Sequence, residues 1–527
     1  MSFLKLMKQS HSSPEFVYLI KQYFNMSSKK FSYGRDRLTP KLAQMILEDN
    51  LICKIRDEEI KKIKKSRQNI LNVLKSSSKV YGVNTGIGVL CNTIISNKDS
   101  KLLQENLLKS HAVGVGDSAP IVISKLMMIL KVHSFCMGFS GISIEVIKRI
   151  CWHIEKNIIP IIPSQGSVGA SGDLAPLAHL FLPLIGLGEV MYKGKRLNSK
   201  EVLKKEKTPP LVLKEKEGLA LINGTQFISA YACYALEKFK TCLINADIIS
   251  AFSLECVQGS IKPFSKKIQK LRPFKGSLMV TKIIRDLLKG SKILESHKDC
   301  DRVQDPYSIR CIPQVHGASW DAYFHLNEIL EIELNSVTDN PIVIDKNEII
   351  SGGNFHGQPL AIPIDYAVIA ASEIGNISDR RVYLMLKGNE IVPKFLIKNS
   401  GVNSGFMILQ YTTAALSSEN KNLCFPASAD SITTSLGQED HVSMGSIGAV
   451  KFLRVIENLE KILAIELLCS IQGLDFYSPL KSGIKANKCY NYIRSKIKHC
   501  KKDRIFTNDI QNAIEIIKSK KLIELTA

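Results

Sequence analysis

Three stretches of the chain predict a mainly α protein, with a loop-rich first part, a long-helix bundle in the second part and a few short strands. Gln226 to Gln258 contains neither Gly nor Pro, and Ile228, Ala232, Leu236, Phe239 and Leu243 recur at helical spacing, so one long buried helix is expected. Gly448 to Gln472 repeats the pattern through Ala449, Phe452, Leu453, Ile456, Leu459, Leu463 and Leu467, with Glu457, Glu460 and Lys461 at polar positions. Trp320 to Asn335 reads as a third helix, stopped by Asp339-Asn340-Pro341 because Pro lacks the amide donor a continuing helix needs.

Shorter helices are expected near 101–112, 123–138, 173–187, 364–388, 405–421 and 506–523. Strand signals are few: Val80-Tyr81-Gly82-Val83, Glu189-Val190-Met191-Tyr192, and a small hairpin from Pro341 to Ile350. The 527 residues exceed the size at which one core usually stops growing. The expected division is an N-terminal extension over 1–30, a loop-rich domain over 31–222, and a helical bundle with a C-terminal helical region over 223–527.

Hydrophobic residues at 45% and charged residues at 23% argue against general disorder. The net charge of +22 would suggest nucleic acid, but the excess is dispersed Lys in short polar windows such as Lys61-Lys62-Ile63-Lys64-Lys65 and Lys204-Lys205-Glu206-Lys207. These read as solvated surface, so nucleic acid is not an expected partner; Lys496 to Arg504 is the best residual candidate for a polyanion. The 13 Cys are scattered without a CxxC or zinc-ligand spacing, which fits reduced thiols in a cytoplasmic protein and no bound metal. Lys5 and Lys8 interrupt the apolar start, against a signal peptide, and no uninterrupted apolar run is long enough to predict a membrane span.

The most unusual segment is Ser164-Gln165-Gly166-Ser167-Val168-Gly169-Ala170-Ser171-Gly172-Asp173-Leu174-Ala175-Pro176. A phosphate cradle would want Lys-Ser/Thr after the last Gly, where Asp173 stands instead. A nucleophile elbow fails on register, since the Gly after Ser171 falls one place early. Two readings stay open. One is a tight loop with Asp173 as N-cap of a helix from Leu174. The other is backbone cyclisation, in which the Gly172 nitrogen attacks the Ala170 carbonyl and dehydration of the ring and of Ser171 leaves an exocyclic methylidene. Ala and Gly suit a strained loop sterically, and Ser supplies the hydroxyl that is lost.

With Tyr81-Gly82-Val83-Asn84-Thr85-Gly86, Ser110-His111-Ala112-Val113-Gly114, Asn223-Gly224-Thr225-Gln226, Gln304-Asp305-Pro306-Tyr307-Ser308-Ile309-Arg310, Gly353-Asn354-Phe355-His356 and Gln438-Glu439-Asp440-His441-Val442-Ser443-Met444, the tripeptide makes seven ordered segments from about residue 31 to about residue 475. In these the chain resembles the aromatic amino acid ammonia-lyase and aminomutase family. The resemblance implies that Ala170, Ser171 and Gly172 form the 4-methylidene-imidazol-5-one (MIO) electrophile autocatalytically, with no metal and no dissociable organic cofactor. It implies elimination of ammonia from an aromatic amino acid, and a homotetramer whose active sites are shared between subunits.

Carried over residue by residue, Tyr81 matches the tyrosine that takes the β-proton, a role that asks for a lowered pKa. Asn223 matches the asparagine that hydrogen-bonds the MIO group; read alone it is a helix N-cap before Gln226. Arg310 matches the carboxylate clamp, Tyr307 lies three residues earlier on the same face of a helical turn, and Gln304 is one turn further back. Phe355 matches a residue beside the prosthetic group. Ser110-His111 and Glu439 resemble the members that act on histidine, giving trans-urocanate, because a carboxylate can pair with an imidazole but would be unpartnered against a phenyl ring. A tyrosine lyase or a 2,3-aminomutase is the rival. Ile87 and Leu436-Gly437 depart from the family pattern. His316, His356 and His441 are expected to have structural roles, and Asp379, Arg380 and Arg381 to serve helix packing or subunit contacts.

Overall fold

The computed structural model describes residues 30–75, 79–96 and 99–526, so the extension expected over 1–30 lies almost wholly outside the described residues. Five long helices build the bundle: Gln226–Cys256, Ile312–Glu333, Gln358–Leu386, Met407–Leu423 and Gly445–Leu474. Gln226–Cys256 and Gln358–Leu386 lie along Gly445–Leu474, while Ile312–Glu333 and Met407–Leu423 pack on the flanks. Almost every side chain of Gln226–Cys256 is buried, so this helix is surrounded by protein rather than presenting one apolar stripe.

Two of these helices begin well before the starts their sequences predict, and Gly445–Leu474 begins slightly before Gly448. Ile312–Glu333 starts eight residues before Trp320 because Pro313 sits in its first turn, where no amide donor is needed. Gly317, inside it, lets a second backbone approach: a Cβ there would lie 2.4 Å from the Ser277 nitrogen. That close crossing is with the Lys275–Leu287 helix, which the periodicity did not reveal. Gln358–Leu386 likewise starts before Pro363, with Pro359 in its first turn. Among the described residues it is the one helix long and apolar enough to cross a membrane by length and composition, and most of its apolar window is buried in the bundle.

The bundle also buries charge. Asp247, His316, Arg381 and Glu466 are inaccessible to solvent. His316 Nδ1 lies 2.7 Å from Asp247 Oδ1, Arg381 Nη1 lies 3.2 Å from His316 Nε2, and Arg381 reaches both Glu466 oxygens at 2.5 and 3.0 Å. Trp320 donates to the other Asp247 oxygen at 3.0 Å. Since Arg381 can only donate, Nε2 of His316 accepts and Nδ1 carries the proton, which makes the ring neutral. Burial pushes its pKa down, in the same sense. Asp379 accepts from Thr413 at 2.5 Å and pairs with the exposed Arg380 at 2.9 Å, so Asp379 and Arg381 serve helix packing while Arg380 faces outwards.

In the first part, Ile121–Cys136 packs on Gln226–Cys256 beside Pro40–Leu47 and Ile144–Glu155. Strands are short. Glu189–Tyr192 is the middle of an antiparallel three-stranded sheet with Ile159–Pro160 and Lys195–Asn198, and Ile342–Val343 pairs with Ile349–Ile350 as the expected hairpin. Val80 to Val83 is a turn instead of a strand. Val83 and Asn84 both donate to the Val80 carbonyl, Gly82 adopts φ +65°, and its amide is taken by the Thr85 hydroxyl at 3.1 Å. Local side-chain acceptors thus outcompete a ladder. The antiparallel pair Val115–Ser118 and Pro163–Gln165 feeds the chain into the Gly-rich loop.

Candidate active site

The loop 166–173 is clipped at both ends. On one side Met444 donates to the Val168 carbonyl at 3.0 Å, and Ala170 packs with Val442 and Met444. On the other, Asp173 donates its amide to the Gly224 carbonyl at 2.8 Å and the Gly224 amide donates to the Ser171 carbonyl at 3.4 Å. Gly172 has φ +73°, and a Cβ there would sit 2.2 Å from the Gly224 oxygen. Only glycine fits both the backbone conformation and the approach.

Asp173 occupies the N-cap position of the Leu174–Phe181 helix but makes no side-chain bond to that helix. Its carboxylate instead accepts from the Phe227 and Ile228 amides at 2.9 and 3.0 Å, capping the neighbouring Gln226–Cys256 helix, and from Ser446 at 2.9 Å. Burial raises Asp173 to about 6, with these donors opposing the rise. The N-cap position of Gln226–Cys256 is Thr225, so Asn223 is not its cap. Asn223 ends the preceding Glu217–Ile222 helix, donates to the Asn340 carbonyl at 3.4 Å, and keeps a buried Oδ1 with no partner.

Glu439 gathers the other side chains. Its Oε1 accepts from Ser171 Oγ at 3.4 Å and its Oε2 from Thr434 at 2.9 Å. Its charge is felt by both Tyr81 and His111. His111 is half-buried, with Nδ1 2.9 Å from the Leu107 carbonyl and 3.0 Å from Ser110 Oγ, and burial lowers its pKa. Tyr81 departs from expectation. Burial raises it and the Glu439 charge adds to the rise, while the Gly88 amide, donating to its oxygen at 3.1 Å, opposes it. Ile87 and Leu436-Gly437, the departures from the family pattern, fall on two loops that face each other, with Gly88 set against Ser435. Phe355 is half-buried beside His356, whose Nε2 lies 3.2 Å from the His441 carbonyl.

Gln304, Tyr307 and Arg310 stand elsewhere. Arg310 stacks on the Tyr307 ring at 4.4 Å, as their spacing predicts, and donates to the Asp305 carbonyl at 3.0 Å. The helical turn begins only at Tyr307, so Gln304 lies outside it and is exposed. Asp305 accepts from the Ser260 amide at 2.6 Å, and Arg302 donates to the Val257 carbonyl at 3.0 Å. This triplet is therefore anchored at the C-terminal end of Gln226–Cys256, and the Ala170-Ser171-Gly172 loop at its N-terminal end. The helix has 31 residues, so the two groups are about 45 Å apart at 1.5 Å per residue.

Three residues around the loop received no role from the sequence: Gly224, Ser443, whose hydroxyl donates to the Gly169 carbonyl at 3.4 Å, and Lys131. Lys131, from Ile121–Cys136, is fully buried; it donates to the Asn223 carbonyl, and its Nζ lies 3.3 Å from Gln226 Oε1. A lysine inside an apolar helix was the available signal.

The family model for "Aromatic amino acid lyase" matches residues 38–495. The histidine ammonia-lyase of Natranaerobius thermophilus is 46% identical over 461 residues, covering 87% of this chain and 91% of that protein. The crystal structure of histidine ammonia-lyase from Trypanosoma cruzi superposes with a TM-score of 0.87 at 38% identity, over 94% of this chain and 95% of that one. That of tyrosine aminomutase from Streptomyces globisporus does so with a TM-score of 0.88 at 31% identity, over 94% and 98%. A match across most of the chain, in sequence and in fold, means that this protein belongs to the aromatic amino acid lyase family.

Proposed function

We propose that the chain is a histidine ammonia-lyase, eliminating ammonia from L-histidine to give trans-urocanate through an MIO group formed from Ala170, Ser171 and Gly172. The observation that carries the substrate is Glu439, a half-buried carboxylate that gives up its Ser171 Oγ donor when the loop dehydrates, with His111 in its field. An imidazole N–H gives that carboxylate a replacement donor, whereas a phenyl ring would leave that oxygen without one, at a cost of about 1–3 kcal/mol or more. Because burial disfavours the charged form of His111, it does not compete as a cation for the carboxylate.

The residues present fit an MIO group. Gly172 holds the left-handed turn, Gly224 offers its amide to the Ser171 carbonyl, and the buried Asn223 amide nitrogen, with one N–H on the Asn340 carbonyl, has a second N–H to offer the group. When formed, the group supplies an electrophile that accepts the substrate amine or ring and makes ammonia a better leaving group. Around it Tyr81 takes the β-proton. Burial raises its pKa, and a positive charge brought by the substrate or a neighbouring subunit would favour its phenolate.

Arg310 clamps the substrate carboxylate with its planar fork, beside Tyr307 and Gln304. Across about 45 Å of helix it is out of reach of the loop of its own chain, which supports sites shared between subunits, in the proposed homotetramer. Ile362, Tyr366, Ile369 and Tyr383 support this, because all four are exposed on Gln358–Leu386 at spacings that place them on one stripe. The deciding experiment offers the purified protein histidine, tyrosine and phenylalanine separately and identifies the products. Urocanate is expected; coumarate as the main product overturns the substrate, and a β-amino acid would make the chain an aminomutase.

A further inference from the structure

We propose that Lys131 is a positioning residue for the electrophile, acting through the Asn223–Gly224 peptide on the Ser171 carbonyl. The inference rests on the proposed cyclisation. Its geometry is a chain of two hydrogen bonds joined by one peptide group. Lys131 Nζ donates to the Asn223 carbonyl oxygen, and the amide on the other side of that peptide, Gly224 N–H, donates to the Ser171 oxygen at 3.4 Å. A cation on the carbonyl end of a peptide draws electron density towards oxygen and makes its N–H a stronger donor. The two bonds are thus coupled, and both lie in a dry environment: Lys131 and Asn223 are 2% and 3% exposed.

The Ser171 carbonyl is the place where such a donor matters. Cyclisation forms the Gly172 N to Ala170 C bond and releases the Ala170 oxygen as water with the Gly172 and Ser171 amide hydrogens. Dehydration of Ser171 then removes its Cα proton and its Oγ hydroxyl as a second water, and no oxidant is required. The electron pair left by the Cα–H bond is delocalised onto the Ser171 carbonyl oxygen before hydroxide leaves. A donor aimed at that oxygen lowers the barrier as an oxyanion-hole donor does. Gly224 supplies it, and Lys131 strengthens it from behind.

The surroundings leave Lys131 without a direct ion pair. Lys216 on the Glu217–Ile222 side, not Lys131, takes the nearby carboxylate, with Nζ 2.8 Å from Asp339 Oδ2. Lys131 is left with neutral oxygens, Asn223 O and Gln226 Oε1, and feels Asp339 and Asp173 only at longer range. Burial lowers its pKa to about 7, against the pull of these two carboxylates. A cation kept inside an apolar helix without a direct counter-ion is costly, and the peptide it polarises gives that cost a purpose.

The test compares wild type with Lys131→Met and Lys131→Gln by intact mass, following the loss of two waters from newly made protein, with melting temperature and helical circular dichroism recorded on the same samples. The wild type is expected to lose both waters. Lys131→Met is expected to do so about ten-fold more slowly or incompletely, while remaining folded. Lys131→Gln keeps a donor but no charge, and falls between. Equal maturation of a folded uncharged variant and the wild type overturns the assignment. Loss of fold in both variants also overturns it, because the cation would then be holding helices together. A wild type that keeps both waters overturns the cyclisation itself, a separate result.

Discussion

The two ends of polar chemistry in this molecule bury charge in opposite ways. In the bundle, Asp247, His316, Arg381 and Glu466 match one another directly, and the ring proton of His316 is placed by its partners. Around the Ala170-Ser171-Gly172 loop, Lys131 faces neutral carbonyl oxygens, Asn223 Oδ1 has no partner, and Asp173 is spent on the amides of a helix other than its own. Closed pairing leaves nothing for a substrate to change. Open pairing leaves a charge without a direct counter-ion and an acceptor without a donor, groups free to respond chiefly in the transition state.

The comparison breaks most sharply at Gly172. Gly172→Ala puts a Cβ 2.2 Å from the Gly224 oxygen at φ +73°, so the loop cannot keep its shape. Intact mass should show both waters retained and activity lost by about a thousand-fold or more; a mature, active variant would mean that the turn is not needed. In the bundle, Arg381→Met strands Glu466 and should cost about 3–5 kcal/mol of stability in a denaturant titration. Maturation should proceed in whatever fraction folds. Loss of maturation without loss of stability would erase the distinction between the two regions.

Asp173 gives a smaller, pH-dependent effect. Its folded pKa of about 6 lies above the ordinary 3.8, so the folded state holds the proton more tightly. Stability contributed by the protonated form is present below about 4 and declines as pH rises to about 6, by about 2–3 kcal/mol at most. Melting curves of Asp173→Asn should be flatter across that window than those of the wild type, and an unchanged slope would show that another group titrates there. Last, Arg310→Met should lower kcat/KM about 10- to 100-fold by removing a charge-assisted fork. Co-assembly with Ser171→Ala subunits should restore part of the activity, because some sites would then combine an intact loop with an intact clamp. Absence of rescue in verified mixed assemblies would place both groups in one chain.

The sequence showed the long helices well where Gly and Pro were missing, as in Gln226–Cys256, and poorly where they were tolerated. The helices expected from Trp320 and from about residue 364 in fact begin at Ile312 and Gln358, with Pro313 and Pro359 in their first turns, and Gly317 allows a close helix crossing. The polar Asp57–Lys75 helix went unseen because its buried face is narrow, with Ile63 and Ile70 among mostly charged neighbours. At the site, Tyr81, Ser171, His111 and Glu439 were legible as residue types in order. Their convergence on Glu439, the capping of a second helix by Asp173, and the Lys131 contact depend on segments that meet only after folding. The rise in the Tyr81 pKa belongs to the same class, since it comes from burial and from Glu439 rather than from its own segment.

The length of Gln226–Cys256 has a consequence for how activity would be switched on. On the proposed cyclisation a solitary chain would complete its loop, because every group that clips it is its own, yet the arginine that would grip a substrate lies a full helix away. Ripening is then a first-order event and turnover a matter of mass action. Specific activity should fall on dilution below the assembly constant while the modified loop persists, so a dispersed subunit would be armed but idle.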